Sequence, residues 1–104
     1  RGLLEDLQHR QNIAELQRYV RGMHAADVAH ALEALPFDDR RRVWEQVGDD
    51  QAPRVFVEVD GAVRQSLVEM TPADVMVRLL TALDPEDLAY VSDAVPGDVL
   101  VRAS

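Results

Sequence analysis

The sequence predicts an all-α fold, a short α-solenoid of stacked helical hairpins in which each hairpin spans about 24 residues. One observation is that an apolar residue followed by a turn-like tetrad recurs about every 12 residues. The tetrads are HAAD (24–27), PFDD (36–39), GDDQ (48–51), DGAV (60–63), TPAD (71–74), DPED (84–87) and PGDV (96–99). Another is that apolar residues between the tetrads follow at steps of three and four, which marks one face of a helix rather than a strand.

Two helices are predicted before the first tetrad, joined near Gln11–Asn12. Apolar residues at helical spacing define them: Leu3, Leu4 and Leu7 on the first, and Ile13, Leu16 and Val20 on the second. Each tetrad then opens a helix of about eight to ten residues. The final helix, near Gly97–Arg102, is predicted to be a truncated stub.

The tetrads contain residues that start helices. The two clearest share an N-cap residue, a proline at the first helical position and a first-turn acid: Thr71, Pro72 and Asp74 in one, and Asp84, Pro85 and Asp87 in the other. Pro53 fits the first turn of a helix that starts near Gln51, because no intrahelical amide hydrogen bond is lost there.

Helices this short are marginal in water by themselves, so they must pack against one another. Joints of three or four residues make sequential helices antiparallel pairs. The recurrence of MHAADV (23–28) as MTPADV (70–75) supports repeated hairpins, and Trp44 and Phe56 occupy core-type positions. We expect a single domain over 1–104. Because the chain starts with arginine rather than methionine, we also expect it to be a fragment of a longer protein.

The charge of the chain argues against several classes of function. Its net charge is −8, and all eleven basic residues are arginine. Residues 1–42 contain seven acids and seven arginines, whereas residues 43–104 contain twelve acids and four arginines. Binding to a nucleic-acid backbone requires a basic surface, so no nucleic-acid partner is predicted. The longest stretch without Asp, Glu, Lys or Arg is five residues, so we predict no membrane span and a soluble cytoplasmic setting.

Catalytic motifs are not recognisable, and a non-enzymatic protein is predicted. The absence of cysteine excludes a disulfide framework and a thiolate metal site. His9, His24 and His30 do not share a helix face and are interpreted as solvated or capping residues. The run Arg40–Arg42 is interpreted as a solvated helix flank, the alternative being a contact with an acidic partner or anionic headgroups.

Acidic clusters leave two interpretations open. They lie at predicted helix starts and comprise Asp38–Asp39, Asp49–Asp50 and the group Asp84, Glu86 and Asp87. One interpretation is helix capping and solubility. The other is a Mg²⁺ site, because Mg²⁺ takes oxygen ligands, keeps several waters and uses only one or two carboxylates.

Two long segments resemble a known family. Residues 23–47, MHAADVAHALEALPFDDRRRVWEQV, are similar to the opening of the cytosolic N-terminal domain of MgtE-type magnesium transporters. That opening has the pattern HPADhAxhLExLPxxxR, in which h is a hydrophobic residue and x is any residue. MTPADVMVRLLTALDPEDLAYVSDAV (70–95) is similar to the closing hairpins of that domain, with their hsPxxhxxhLxxLdPdDhAxhhxxh pattern. The resemblance covers essentially the whole chain, and it depends on the ordered succession of these motifs.

This resemblance implies a right-handed superhelix that precedes CBS modules and a transmembrane domain in the same full-length chain, with a homodimer formed through those other domains. It implies a regulatory, Mg²⁺-sensing domain on the cytoplasmic side of the cell membrane, as the soluble part of an inner-membrane protein. At high Mg²⁺, ions bridge acidic faces of this domain and the CBS modules, and the gate closes. At low Mg²⁺, the like-charged faces repel each other.

Residue by residue, the resemblance implies metal ligands at Glu86 and Asp87, which match the LdP turn of the family. This chain has Tyr90 and Arg54 at two positions where the family can carry acids. Glu58, Asp93 and other acids are candidates to complete the site, and the alternative is a smaller number of bound ions.

An alternative function is a protein-interaction scaffold resembling the helical-hairpin domains of flagellar motor switch proteins, with acids for solubility and partner steering. The remainder of the gene discriminates between the two. CBS modules followed by several apolar spans support the transporter, and a soluble helical continuation supports the scaffold.

Overall fold

The computed structural model describes residues 2–104, apart from the side chain of Asp6. Over these residues the chain forms helices and no strand. The helices are α1 (Leu3–Arg21), α2 (Ala25–Ala34), α3 (Phe37–Glu45), α4 (Ala52–Glu58), α5 (Gly61–Met70), α6 (Ala73–Thr81), α7 (Pro85–Val91) and α8 (Gly97–Ala103), with a short 3₁₀ helix at Ser92–Ala94. The prediction of an all-α fold is confirmed.

Helices two apart in the chain pack on each other. The even-numbered helices α2, α4, α6 and α8 contact one another in succession, and α1 contacts α3, which contacts α5. The two rows also contact each other, for example α2 with α3 and α4 with α5. Two stacked rows give an elongated molecule with principal extents of 46 × 25 × 23 Å.

Buried apolar side chains from both rows form a continuous core. Phe56 on α4 is completely buried and Trp44 on α3 is 8% exposed, which confirms the predicted core positions of both aromatics. The Trp44 Nε1 atom donates a hydrogen bond to Thr71 Oγ1 at 2.9 Å, so the polar end of the indole is satisfied where it meets the next hairpin.

The first helix differs from its prediction. A pair of helices joined near Gln11–Asn12 was expected, but α1 continues without a break from Leu3 to Arg21. Gln11 and Asn12 are neither glycine nor proline, and their helix propensities are too mild to end a helix. The break in the apolar pattern is therefore a change of exposed face, not a joint.

Several predicted helix starts are confirmed. The Asp84 side chain caps α7 by accepting a hydrogen bond from the backbone N–H of Asp87 at 2.8 Å. Pro53 lies in the first turn of α4, and the last helix runs from Gly97 to Ala103. In addition, Asp60 caps α5 through the backbone N–H of Val63.

The predicted cap of α6 is wrong. Pro72, not Thr71, holds the N-cap position, and α6 begins at Ala73. Thr71 instead ends α5, where its hydroxyl donates to the Leu67 carbonyl while accepting from Trp44. That hydroxyl is engaged by the preceding helix and by the indole, and it does not cap α6. The first-turn acid, Asp74, is where it was predicted.

The interpretation of Arg40 as a solvated flank is also wrong. Arg40 is half-buried and donates to the carbonyls of Leu32 and Leu35 at the end of α2, and to Ser66 Oγ on α5. The Leu32 carbonyl otherwise accepts only a long hydrogen bond of 3.4 Å from the Leu35 N–H, so a guanidinium that reaches both carbonyls helps to satisfy the helix end. Arg41 and Arg42 remain exposed, as predicted.

Arg64 repeats this arrangement on the next hairpin. It is only 7% exposed, and it donates to the carbonyls of Phe56, Val57 and Val59 at the end of α4. Like Arg40, it binds through Nε the carbonyl eight residues earlier and through Nη2 the carbonyl five residues earlier. We call Arg40 and Arg64 the arginine clamps.

Among the residues that the structure describes, no helix is both long and apolar enough to cross a membrane.

Candidate metal-binding surface

Two adjoining open cavities bring together acidic residues from three helices. The larger, about 400 Å³, lies between α4 and α7 and is lined by Val57, Glu58, Glu86, Asp87 and Tyr90. The smaller, about 170 Å³, lies between α2 and α4 and is lined by Ala26, Ala29, His30, Glu33 and Glu58. Glu58 therefore borders both. We call Glu33, Glu58, Glu86 and Asp87 the acidic surface.

Local structure fixes where these carboxylates lie. Glu58 is the last residue of α4, and Glu86 and Asp87 lie in the first turn of α7. Helix α4 contacts α7, and one cavity is lined both by the end of α4 and by the first turn of α7. Glu58 and Glu86 are exposed, so both carboxylates face the solvent at the same cavity.

Both carboxylate oxygens of Glu33 have neighbours within the chain. Its Oε2 accepts a hydrogen bond from the backbone N–H of Asp60 at 2.9 Å, which joins α2 to the turn between α4 and α5. The Oε1 of Glu33 lies 3.5 Å from His30 Nδ1. Glu33 therefore contributes negative charge to the surface while both of its oxygens have protein neighbours.

Asp87 has a cationic partner within the chain. Its Oδ2 accepts a hydrogen bond from Arg54 Nη2 at 2.8 Å, and the ion pair joins α7 to α4. Arg54 stands at one of the two positions where the family can carry an acid. Here its guanidinium lies where an acid would have added repulsion, and it compensates part of the charge of Asp87.

The other unexpected residue, Tyr90, also has a partner. The Arg64 guanidinium carbon lies 5.2 Å from the centre of the Tyr90 ring and 5.9 Å from that of Phe56. Rings at these distances attract a cation through their negative faces. Tyr90 thus closes one side of the larger cavity and covers the second arginine clamp.

The donor set suits a hard divalent cation, but only in part. Glu58 and Glu86 supply carboxylate oxygens from two helices at one open cavity, which is the ligand type that Mg²⁺ prefers. Within the described part of the chain, no group of three or more acidic or histidine side chains is close enough to enclose a metal ion. A cation at this surface would thus keep water or take ligands from an apposed molecule.

The structure sorts the predicted site residues. It places Glu86 and Asp87 at one cavity and adds Glu58, the first of the two replacement candidates. Asp93, the second, lies in the 3₁₀ helix and lines neither cavity. Asp38 and Asp39 are exposed in the first turn of α3, where Asp39 lies 3.9 Å from Arg42. The pairing of Arg54 with Asp87 was missed, because the two residues are 33 positions apart.

The fold and this surface define a helical-repeat domain with an outward acidic face. A family model described as the MgtE intracellular N domain matches residues 23–103, which is most of the chain. The chain therefore belongs to the MgtE intracellular N domain family, which relates it to magnesium transport and an intracellular location. The match covers the tetrad repeats and leaves out α1. No curated protein sequence matches the chain.

Proposed function

We propose that this chain is a regulatory, Mg²⁺-sensing cytosolic domain of a magnesium transporter. In this proposal Mg²⁺ bridges its acidic surface to neighbouring CBS modules of the same full-length chain and so gates transport. The observation that carries the proposal is the convergence of Glu58 and Glu86, from α4 and α7, on one open cavity beside Asp87. Membership of the MgtE family indicates that the ion is Mg²⁺, and the cavity between α4 and α7 is the place where we propose that it binds.

Electrostatics predict how Mg²⁺ changes the interaction between this acidic surface and another one. Two acidic surfaces repel when no cation lies between them, and a divalent ion between them reverses the sign of the interaction. The net charge of −8 makes approach of another acidic surface unfavourable at low Mg²⁺. Glu58 and Glu86 would hold the ion, which would supply the positive charge that draws the two surfaces together.

The proposal extends to the architecture and the assembly. We include a right-handed superhelix with a period of about 24 residues, and the period is supported by Arg40 and Arg64, which make the same hydrogen bonds at that spacing. Residues 1–104 form a single non-enzymatic domain in this proposal. The full-length protein is a homodimer through its other domains, with this domain on the cytoplasmic side of the membrane.

One observation favours the alternative, a protein-interaction scaffold without metal. Asp87 is already paired with Arg54, so part of the acidic surface is compensated in the absence of any ion. If the remaining acids serve only solubility and steering, partner binding depends on ionic strength and not on Mg²⁺ itself.

Thermal unfolding separates the two functions. If Mg²⁺ binds the folded domain, an ion concentration ten times the dissociation constant stabilises it by about 1.4 kcal/mol. We expect the Tm to rise by several degrees in millimolar Mg²⁺, beyond the rise in NaCl of matched ionic strength. The double variant Glu58→Gln/Glu86→Gln should abolish this additional rise.

The matched control is Asp38→Asn/Asp39→Asn, which removes two exposed charges from α3, outside both cavities. It should keep the Mg²⁺-specific rise. Equal rises in MgCl₂ and matched NaCl, or equal losses in both double variants, would favour the scaffold over specific sensing.

A further inference from the structure

The guanidinium of Arg64 holds the backbone on both sides of Glu58. Its Nη2 atom donates to the Val57 carbonyl at 2.8 Å and to the Val59 carbonyl at 2.6 Å. Glu58 lies between these two residues and is the last residue of α4. Helix ends fray when their carbonyls lack donors, so these two bonds keep the last turn of α4 in one conformation.

The turn that follows Glu58 is held as well. The backbone N–H of Asp60, two residues after Glu58, donates to Glu33 Oε2 at 2.9 Å. The Asp60 side chain caps α5 by accepting from the Val63 N–H at 2.8 Å, and Arg64 is the next residue along that helix. The backbone at Glu58 therefore lies between fixed points, while its side chain is exposed.

Arg64 also contacts the second helix that supplies a carboxylate to the larger cavity. Its guanidinium carbon lies 5.2 Å from the centre of the Tyr90 ring on α7. Tyr90 stands one helical turn after Glu86, so the two side chains lie on the same face of α7, and both line the cavity. One guanidinium thus contacts the helix of Glu58 and the helix of Glu86.

The first arginine clamp lacks this relation to a carboxylate. Arg40 gives its third hydrogen bond to a side chain of α5, whereas Arg64 gives its third bond to the carbonyl of Val57. The residue 24 positions before Glu58 is Ala34, which ends α2 and carries no charge. The two clamps therefore share their helix-end bonds, and the second one adds a bond beside an acidic residue.

We propose that Arg64 is a positioning residue for the proposed ion site, where it holds Glu58 so that its carboxylate meets that of Glu86 at the cavity between α4 and α7. This inference rests on the proposed function. A ligand whose backbone is already fixed loses less conformational freedom when the ion binds, so the affinity is higher. Charge alone predicts the opposite sign, because a cation near the site repels Mg²⁺.

Calorimetric titration with MgCl₂ tests the proposal on a matched pair of variants, Arg64→Lys and Arg40→Lys. Lysine keeps the positive charge, but its single ammonium group does not reproduce the fork of donors of a guanidinium. We expect the dissociation constant for Mg²⁺ to rise about three- to tenfold in Arg64→Lys and to change by less than about twofold in Arg40→Lys. The temperature is one at which circular dichroism shows both variants to be folded.

The possible results distinguish this inference from the proposed function. Both variants lose stability, so a merely structural role of Arg64 predicts equal dissociation constants for the two folded variants. Equal constants, or tighter binding in Arg64→Lys, would overturn the inference and leave the proposed function standing. Failure of the unaltered chain to bind Mg²⁺ specifically would overturn the proposed function and this inference with it.

Amide hydrogen exchange of the unaltered chain, without Mg²⁺, decides the case in which Arg64→Lys does not fold. Val59 and Leu35 are 24 residues apart, and each follows the last turn of its helix, as the C-cap of α4 or next to Ala34 at the end of α2. Their N–H groups donate to Val55 and Leu32 at 3.1 and 3.4 Å. We expect the Val59 amide to exchange at least about tenfold more slowly than the Leu35 amide. Comparable rates would show that the end of α4 frays and would overturn the inference.

Discussion

Arg40 and Arg64 have the same structural role in two neighbouring hairpins, but they lie in different surroundings. Each binds carbonyls at the end of the preceding helix with the same spacing along the chain. Arg40 is half-buried and its third partner is the hydroxyl of Ser66, whereas Arg64 is almost fully buried and lies against the Tyr90 ring. The backbone geometry thus repeats, while the partner from the following hairpin varies.

This difference connects the fold to the acidic surface. Ser66 lines neither cavity of the acidic surface, but Tyr90 lines the cavity that contains Glu58 and Glu86. The second clamp therefore holds the end of α4, which carries Glu58, and also contacts the helix that carries Glu86. We infer that changes at Arg64 disturb both stability and the acidic surface, whereas changes at Arg40 affect stability alone.

The largest expected effect is at Arg64. Arg64→Leu leaves three helix-end carbonyls without their donors in a buried place, so we expect a loss of about 3 kcal/mol in the free energy of unfolding. Urea denaturation followed by circular dichroism measures it. A loss below about 1 kcal/mol would show that water replaces the guanidinium without difficulty.

Arg40→Leu should cost less, about 1.5 kcal/mol, because the Leu32 carbonyl keeps its hydrogen bond from the Leu35 N–H and water can reach part of this half-buried site. The same denaturation experiment provides the comparison. Equal losses for the two variants would contradict the distinction drawn between the clamps.

The third partners should contribute less again. A double-mutant cycle between Arg64 and Tyr90, with Tyr90→Ala and Arg64→Met, should give a coupling free energy of about 0.5–1 kcal/mol. A cycle between Arg40 and Ser66 provides the reference for a hydrogen-bonded partner. Zero coupling in the first cycle would mean that Tyr90 only covers the guanidinium.

The smallest effect on stability is expected at Arg54. Its pair with Asp87 is exposed, so Arg54→Gln should change the free energy of unfolding by less than about 0.5 kcal/mol. Removing the cationic partner of Asp87, which lines the same cavity as Glu58 and Glu86, should instead tighten Mg²⁺ binding by a few fold. Calorimetric titration with MgCl₂ measures the change, and an unaltered or weaker affinity would show that Arg54 does not compete with the ion.

Much of the fold could be predicted from local sequence signals. The helix start at Asp84–Pro85 is indicated by residues within a single turn. The core positions of Trp44 and Phe56 follow from helical spacing. The continuous α1 could not be predicted from such signals, because its apolar residues change from one helix face to another in mid-helix. The role of Thr71 was also hidden, since it depends on an indole 27 residues earlier in the chain.

The candidate site shows the same limit. Glu86 and Asp87 follow from the LdP turn, a local pattern that the family shares. Which acid joins them is decided by the packing of α4 on α7, so Glu58 and Asp93 were equivalent candidates until the helices were placed. The Arg54–Asp87 pair crosses the same contact and has no local signal in the sequence.

The most direct test of the proposed metal surface is site mapping with Mn²⁺, whose paramagnetism broadens nearby amide signals in an NMR spectrum of the 104-residue chain. We predict that the first signals to broaden are those of Val57, Glu58, Glu86 and Asp87, and that excess Mg²⁺ restores them. Broadening that is equally strong around Asp38–Asp39 and Asp49–Asp50, or absent at Glu58 and Glu86, would contradict a specific cation site between α4 and α7.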